Sequence, residues 1–461
     1  FNERRLIIHT DSTTNMNFVL CRRKRRSSRL VSKAIPEIVS NHSGPMGYFN
    51  KLPKEIMYTL FCYLPVDTLS LVSVSSKSLY FYIKEWVLTP NGSKCLFPSE
   101  YLSFIKNEQS YDAGRATIQF RDIGLLLKRV TCIYSTKERL RIFTELLDLW
   151  DRHFLLSSLS ICQRCHLLPF FGIMMQTVIL GWHDCELHKV FETIENFVKV
   201  NRHMEVILQQ QPGAYPDKEM IIRSHYRKLY LDLSKTTKGR LFWLYKILKP
   251  QPMFYQARIL FLLYGPCSGS RISWHEVISN NPRSLRYIKE TFGDLAGAII
   301  GMRSSLSWSD DDIICIFEDL TSMPEDWSID NIAHFLYLCG QDIVILLLGN
   351  KAINGRITDV CNLLISTGLV GKRLHAGSKW ILRVIDHIFS VMHNPDDRGR
   401  LVKSFWELLG ARVLCSHEMV VTEQNMENVH EDELMQLLEF QVEIGIILTS
   451  AAYSSVNLVV L

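Results

Sequence analysis

YFNKLPKEIMYTLFCYLPVDTLSLVSVSSKSLYFYIKEW, residues Tyr48–Trp86, reads as three short helices. Pro53 stands where a first helical residue tolerates proline, because the N–H it lacks would be unpaired there anyway. From it, Ile56, Met57, Leu60, Phe61 and Leu64 recur at helical spacing and make a wide apolar stripe. Pro65 stops that helix. Asp67 is the expected N-cap of a second, which carries Leu69 and Val72, with Leu71 and Val74 on a neighbouring face. A third is expected from about Ser76, with Leu79, Ile83 and Trp86 three or four residues apart. About forty residues cannot bury that much apolar surface among themselves. Some of it must face a partner or the rest of the chain.

The pattern Leu52-Pro53-x-Glu55-Ile56, Leu60-Phe61, Leu64-Pro65, Asp67-x-Leu69, Val74-Ser75-x-Lys77 and Trp86 resembles the F-box. The resemblance implies that this face docks on the adaptor Skp1, which holds the Cullin-1 scaffold of a ubiquitin ligase. The contact residues it implies are Leu52, Pro53, Ile56, Leu60, Leu64, Leu69, Val74 and Trp86. Read without it, the stretch is an ordinary N-terminal helical hairpin of a larger domain.

The 461 residues are ample for a large core, and 47% apolar with 21% charged content describes a globular chain. The twelve cysteines are scattered, with Cys315, Cys339 and Cys361 inside apolar helical stretches. This pattern predicts buried thiols in a reducing compartment rather than a disulfide framework. Residues 1–20 are too polar and interrupted for a secretory signal. The longest uncharged runs, Leu167–Trp182 and Ile444–Leu461, are short or carry Ser, Thr and Asn, so no membrane span is expected. Residues 1–46 hold nine basic against three acidic residues, so the net +5 of the chain comes from this segment. The remainder is electrically balanced, and no direct nucleic-acid binding is expected of it. Within the segment, Arg22-Arg23-Lys24-Arg25-Arg26 reads either as a nuclear-import patch or as a solvated basic tail, with Ser27 and Ser28 directly after it.

The domain reading is a disordered tail over 1–46, the three-helix unit over 47–88, a loop-like linker over 89–114, and a helical domain over 115–461. The linker rests on Pro90-Asn91-Gly92, Pro98 and Gly114. Beyond it, helix starts and stops follow one another. Ser135 and Glu138 have capping-box spacing, and residues 167–210 read as two long helices around Gly181. Pro252 opens a helix in which Phe254 and Tyr255 are expected to pack into the stack. Ser309 precedes Asp310–Asp312 at another start, Pro324 opens a helix that Gly340 ends, and Asn394-Pro395-Asp396-Asp397 starts one more. No alternating strand series intervenes. The expected fold is all-α: an F-box followed by an α-solenoid-like stack without a strict repeat period.

Lacking leucine-rich or Trp-Asp repeats, the chain is placed by exclusion in the "F-box only" class. Residues 120–360 share with one member of that class the strings Ser135-Thr-Lys-Glu-Arg-Leu140, Trp243-Leu-x-Lys-Ile-Leu-Lys-Pro250, Asp330-Asn331-x-Ala333 and Lys351-Ala-x-Asn354-Gly355-Arg356. That resemblance implies a nuclear role in meiotic prophase, around chromosome synapsis.

For chemistry, Cys162-x-x-Cys165-His166 has the spacing of a zinc half-site or of a c-type haem attachment, and His183, Cys185 and His188 could complete a tetrahedral site. The first pair leads into a strongly apolar helix and the second group lacks a paired knuckle, so the expected reading is thiols packed in a core, with no cofactor. No phosphate loop or nucleophile elbow is present. The expected function is a non-catalytic substrate receptor, since an F-box protein positions a substrate for an enzyme held elsewhere. The alternative is a nuclear scaffold whose F-box gives no ligase output.

Overall fold

The structure is a computed structural model that describes residues 46, 49, 51–98, 101, 112–159, 161–279, 285–374, 378–422 and 435–445. The basic run Arg22–Arg26 and the C-terminal Ile444–Leu461 run beyond residue 445 lie outside these residues.

Three helices open the chain: α1 (Lys54–Cys62), α2 (Val66–Ser75) and α3 (Lys77–Val87). Prolines set the first two starts. Pro53 and Pro65 are the N-caps, both with extended backbone, so Asp67 lies in the first turn of α2 instead of capping it. There its carboxylate favours the positive end of the helix dipole.

The loop-like reading of residues 89–114 is corrected by α4 (Pro90–Leu96). Thr89 caps it, its Oγ1 accepting the Gly92 N–H at 3.0 Å, and Pro90 takes the first helical position. Here proline and glycine mark a helix start rather than a loop. Leu96, Phe97 and Tyr101 are buried behind it. Phe97 meets Trp150 edge-on at 5.2 Å, and the Trp150 indole donates to the Ser93 carbonyl at 2.8 Å.

Then come α5 (Ala113–Val130), α6 (Thr136–Phe154), α7 (Ile161–Ile179), α8 (Asp184–Val198), α9 (Val200–Leu208) and α10 (Pro216–Tyr226). Ser135 caps α6 as expected, accepting the Glu138 N–H at 3.3 Å. The two long helices expected over 167–210 are three, because Lys199 adopts a left-handed φ of 58° between α8 and α9. The close approach of α5 to α7 depends on Gly124, where a Cβ would lie 2.7 Å from the Met174 carbonyl oxygen.

The second half comprises α11 (Thr237–Leu248), α12 (Met253–Tyr264), α13 (Leu285–Ser304), α14 (Asp310–Thr321), α15 (Ile329–Cys339), α16 (Gln341–Ile353), α17 (Ile357–Arg373), α18 (Ser378–Val391) and α19 (Pro395–Thr422). The only strand pairing among the described residues is a two-residue hairpin, Cys267–Ser268 with Arg271–Ile272. From α12 on, each helix packs on the next but one. α12, α14, α16 and α18 form one layer, and α13, α15, α17 and α19 the other. This is the solenoid arrangement expected from short connections between amphipathic helices. Between the layers, Phe317 stacks on Phe335 at 5.1 Å and Phe292 on Trp327 at 5.6 Å. α17 is buried along most of its length, covered on one side by the helical residues 435–445, whose Phe440 seats over Gly368.

Three expectations are corrected here. Pro324 does not open α15. Ser328 does, accepting the Asn331 N–H at 3.2 Å. Phe254 stays 47% exposed at the start of α12 instead of packing inward. Cys339 and Cys361 are buried as read, but Cys315 is exposed, as are Cys62, Cys95, Cys132, Cys185, Cys267 and Cys415. Cys315 lies on the outer side of α14, whose inward positions are taken by Ile313, Ile316, Phe317 and Leu320. No helix among the described residues is long and apolar enough to cross a membrane.

Candidate docking face of the N-terminal helices

α1 has two apolar sides. Met57 and Phe61, four residues apart, are 2% exposed each and face inward. Phe61 meets Trp86 of α3 edge-on at 5.8 Å. The other side is a ridge. Leu52, Ile56, Leu60 and Leu64 advance by four residues at 36–47% exposure, with Pro53 exposed at the helix entry. The ordinary cost of exposing apolar side chains is tolerated when they are scattered. A contiguous row of them marks a surface that meets a partner.

The expected contact set divides on this geometry. Leu52, Pro53, Ile56, Leu60 and Leu64 lie together on the ridge, and Val74 is 62% exposed on α2. Leu69 and Trp86 do not join them. Each is 1% exposed and belongs to the chain's own core. The cause is the packing of α2 on α5, which turns Leu69, Ser70 and Ser73 inward and leaves Leu71 and Val74 outside. Small serines let the two helices approach. The Arg129 guanidinium donates to Ser70 Oγ at 2.8 Å, and the Tyr80 hydroxyl donates to the Val130 carbonyl at 2.7 Å. The three-helix unit is thus bonded directly to the helical stack.

Three exposed apolar side chains are absent from the expected contact set: Phe49, Tyr63 and Leu71, at 51%, 81% and 60%. Tyr63 follows Leu60 by three and Ile56 by seven, so the helical count that found the ridge reaches it too. Leu71 shares its face of α2 with Val74, as its spacing indicates, but which side of α2 faces out is decided by α5, some fifty residues away in sequence.

Polar groups on this unit hold its helices together. The Lys54 ammonium is 2.5 Å from Glu85 Oε2, and the Tyr58 hydroxyl donates to the same oxygen at 3.2 Å, tying α1 to α3. The hydrogen bond to Glu85 raises the Lys54 pKa, and burial raises that of Tyr58. Such a half-exposed pair contributes little stability.

The Cys/His candidates are placed as follows. His183 is the N-cap residue of α8, its backbone N–H donating to Glu186 at 3.1 Å. Cys185 is exposed in the first turn, and His188 Nε2 is 3.2 Å from Glu192 on the same helix. His166 is exposed on α7, while the side chains of Cys162 and Cys165 lie outside the described residues. Among the described residues no three His, Cys, Asp or Glu side chains are grouped as a metal site would need. A cleft of about 700 Å³ opens in the stack between α13, α14 and the α15–α16 turn, lined by Ile300, Arg303, Asp310, Cys339, Gln341 and Asp342. Arg303 is held there by Asp310 at 3.2 Å.

Comparison with known proteins agrees with this architecture. A family model described as "FBXO47, ARM repeats" matches residues 196–454, more than half of the chain and the whole of the two-layered stack. The chain is 28% identical to F-box only protein 47 of Homo sapiens over 401 residues, covering 85% of this chain and 87% of that protein. To F-box only protein 47 of Mus musculus it is 28% identical over 420 residues, covering 88% and 89%. With an exposed N-terminal helical ridge, an all-α stack and these matches, the chain belongs to the F-box only protein 47 family.

Proposed function

We propose that this protein is the substrate-receptor subunit of a Skp1–Cullin-1–F-box ubiquitin ligase. The observation that carries the reading is the outward ridge of α1, Leu52, Ile56, Leu60 and Leu64, with Val74 also exposed on α2. Skp1 docks on it, and Cullin-1 is joined through Skp1. The stack presents a protein substrate. The chain performs no catalysis of its own: it raises the local concentration of substrate lysines at a conjugating enzyme held by the scaffold. Its place of action in this reading is the nucleus in meiotic prophase.

The contact between α2 and α5 supports such a role mechanically. A receptor whose adaptor-binding unit is packed against its substrate-binding stack holds the substrate at a fixed orientation, which lowers the entropy lost in reaching the transfer geometry. The test is affinity purification of the intact chain from germ cells. Recovery of Skp1 and Cullin-1 together with ubiquitin-conjugating activity is the expected result. Recovery of partners whose turnover is unchanged when the chain is removed would favour the scaffold reading instead.

A further inference from the structure

Beyond its basic tail the chain is balanced as a whole but not along its length. From Leu233 to His275 it carries seven Lys or Arg and no Asp or Glu. Arg258 is buried, and the others are exposed or half-exposed. α11 gathers part of this excess on one face. Trp243, Leu244, Ile247 and Leu248 form its buried side. Lys238, Phe242, Tyr245, Lys246 and Lys249 recur at helical spacing on the opposite side, and Lys235 is exposed in the loop that enters the helix. The acids at the two ends are already taken: Asp232 holds Arg227 at 3.0 Å and Asp312 holds Lys249 at 3.2 Å. Among the described residues no carboxylate pairs with Lys235, Lys238 or Lys246. Lys238 also sits in the first turn of α11, where a cation opposes the helix dipole and no acid offsets it. A local rule broken without a structural partner points to a position kept for another use. Aromatic rings are interleaved with these cations. Lys246 Nζ lies 5.6 Å from the ring centroids of both Phe242 and Tyr245, which holds the ammonium in place at the surface. Tyr245 is 36% exposed and meets Trp308 edge-on at 5.9 Å.

We propose that this face of α11 docks an acidic peptide segment of the protein substrate, whose carboxylates meet Lys235, Lys238 and Lys246 while an apolar side chain of the segment lies on Tyr245. That the segment belongs to a substrate rests on the receptor reading above; the binding itself does not. From Lys238 to Lys249 the face is about 16 Å long at the α-helical rise per residue, which matches about five residues of extended peptide. The charge count favours a peptide over a nucleic acid. Three free ammonium groups over that length release few counterions, whereas nucleic-acid binding is built from many phosphate contacts. A short segment carrying a few Asp or Glu residues satisfies the same three cations and uses the ring face as well.

Fluorescence anisotropy on the purified full-length chain tests this with three labelled probes: a peptide repeating Glu-Asp-Phe, the same peptide with Lys and Arg in place of its acids, and oligothymidylate. The expected result is saturable binding of the acidic peptide in preference to the other two, weakened by added salt. In Lys238→Glu/Lys246→Gln the affinity should fall about tenfold or more, and Lys238→Arg/Lys246→Arg should restore it. A glutamate suits the start of α11 and neither side chain is core, so the melting temperature is expected to stay at the native value. Lys235→Glu, in the loop outside the helix, should weaken binding about threefold with α11 itself untouched. Replacing Arg22–Arg26 by Ala separates the tail, and binding should persist. Absence of acidic-peptide binding, native affinity in the double variant and in Lys235→Glu, loss of binding with the tail run, or tighter binding of oligothymidylate would each overturn the proposal. Titration of Skp1 onto the native chain reads the α1 ridge separately, so failure at α11 and failure of the receptor reading are told apart.

Discussion

Replacing Ile56 and Leu60 together by Ala separates docking from folding more cleanly than any other change to α1. In the isolated chain these side chains are 47% and 40% exposed, so about half of each remains to be buried by a partner. Full burial of such a side chain is worth roughly 1.5–3 kcal/mol. The exposed halves therefore represent about 0.7–1.5 kcal/mol each, or roughly 1.5–3 kcal/mol for the pair. That is a loss of about 10- to 100-fold in affinity for Skp1. The fold should barely notice, because neither residue fills the core. Phe61→Ala, one position further on, is the contrast. Phe61 is 2% exposed and packs on Trp86, and its truncation should cost about 3–5 kcal/mol of stability. Calorimetric titration with purified Skp1, beside thermal melts followed by circular dichroism, reads both quantities. Wild-type affinity in a folded Ile56/Leu60 double variant would refute the docking assignment. Unfolding of that variant to the degree of Phe61→Ala would show that the ridge is core.

Leu69→Ala and Trp86→Ala should lower the melting temperature, each costing about 2–5 kcal/mol, and any loss of Skp1 binding should track the fraction unfolded. Glu195 is buried and accepts from His225 at 2.8 Å, Tyr226 at 3.0 Å and Tyr230 at 3.2 Å. Glu195→Ala strands those groups and should destabilise the α8–α10 region by roughly 3–5 kcal/mol in chemical denaturation, while Glu195→Gln should cost less. At α14, burial raises the Asp312 pKa but the Ser309 N–H and the Lys249 ammonium outweigh it, so the carboxyl sits below its usual range. A depressed carboxylate contributes stability that is present above its unfolded pKa and lost as pH falls through the folded one. Melts taken as pH falls from about 5 into the acid range should therefore show less loss in Asp312→Asn than in the native chain.

Helix boundaries were legible where capping chemistry is local. Ser135, Ser309, Pro395 and Gly340 each act within three or four residues of themselves, and each stands at the terminus its sequence context predicts. The apolar stripe of α1 was legible for the same reason. Its division into an inner and an outer side was not. Met57 and Ile56 look alike in sequence, yet only Met57 turns into the core to which Phe61 and Trp86 belong. Leu69 went astray because its side of α2 is decided by α5, some fifty residues on, and Trp86 because it packs on Phe61 within the three helices themselves. Residues 89–114 show the converse limit. Pro90 and Gly92 resemble a linker, yet Gly92 is required where a Cβ would come within 2.0 Å of the Trp86 carbonyl oxygen. The two-layered repeat of α12 to α19 escaped the period search because its helices run from 11 to 28 residues. The repeat is one of packing rather than of sequence spacing.

Hydrogen exchange on the intact chain with and without Skp1 reads the docking of the α1 ridge directly. A stable complex is expected, in which peptides over Lys54–Cys62 and over α2 gain protection while those over α14 to α17 do not change. No complex with the folded chain, or protection confined to the stack with α1 exchanging as before, would contradict it.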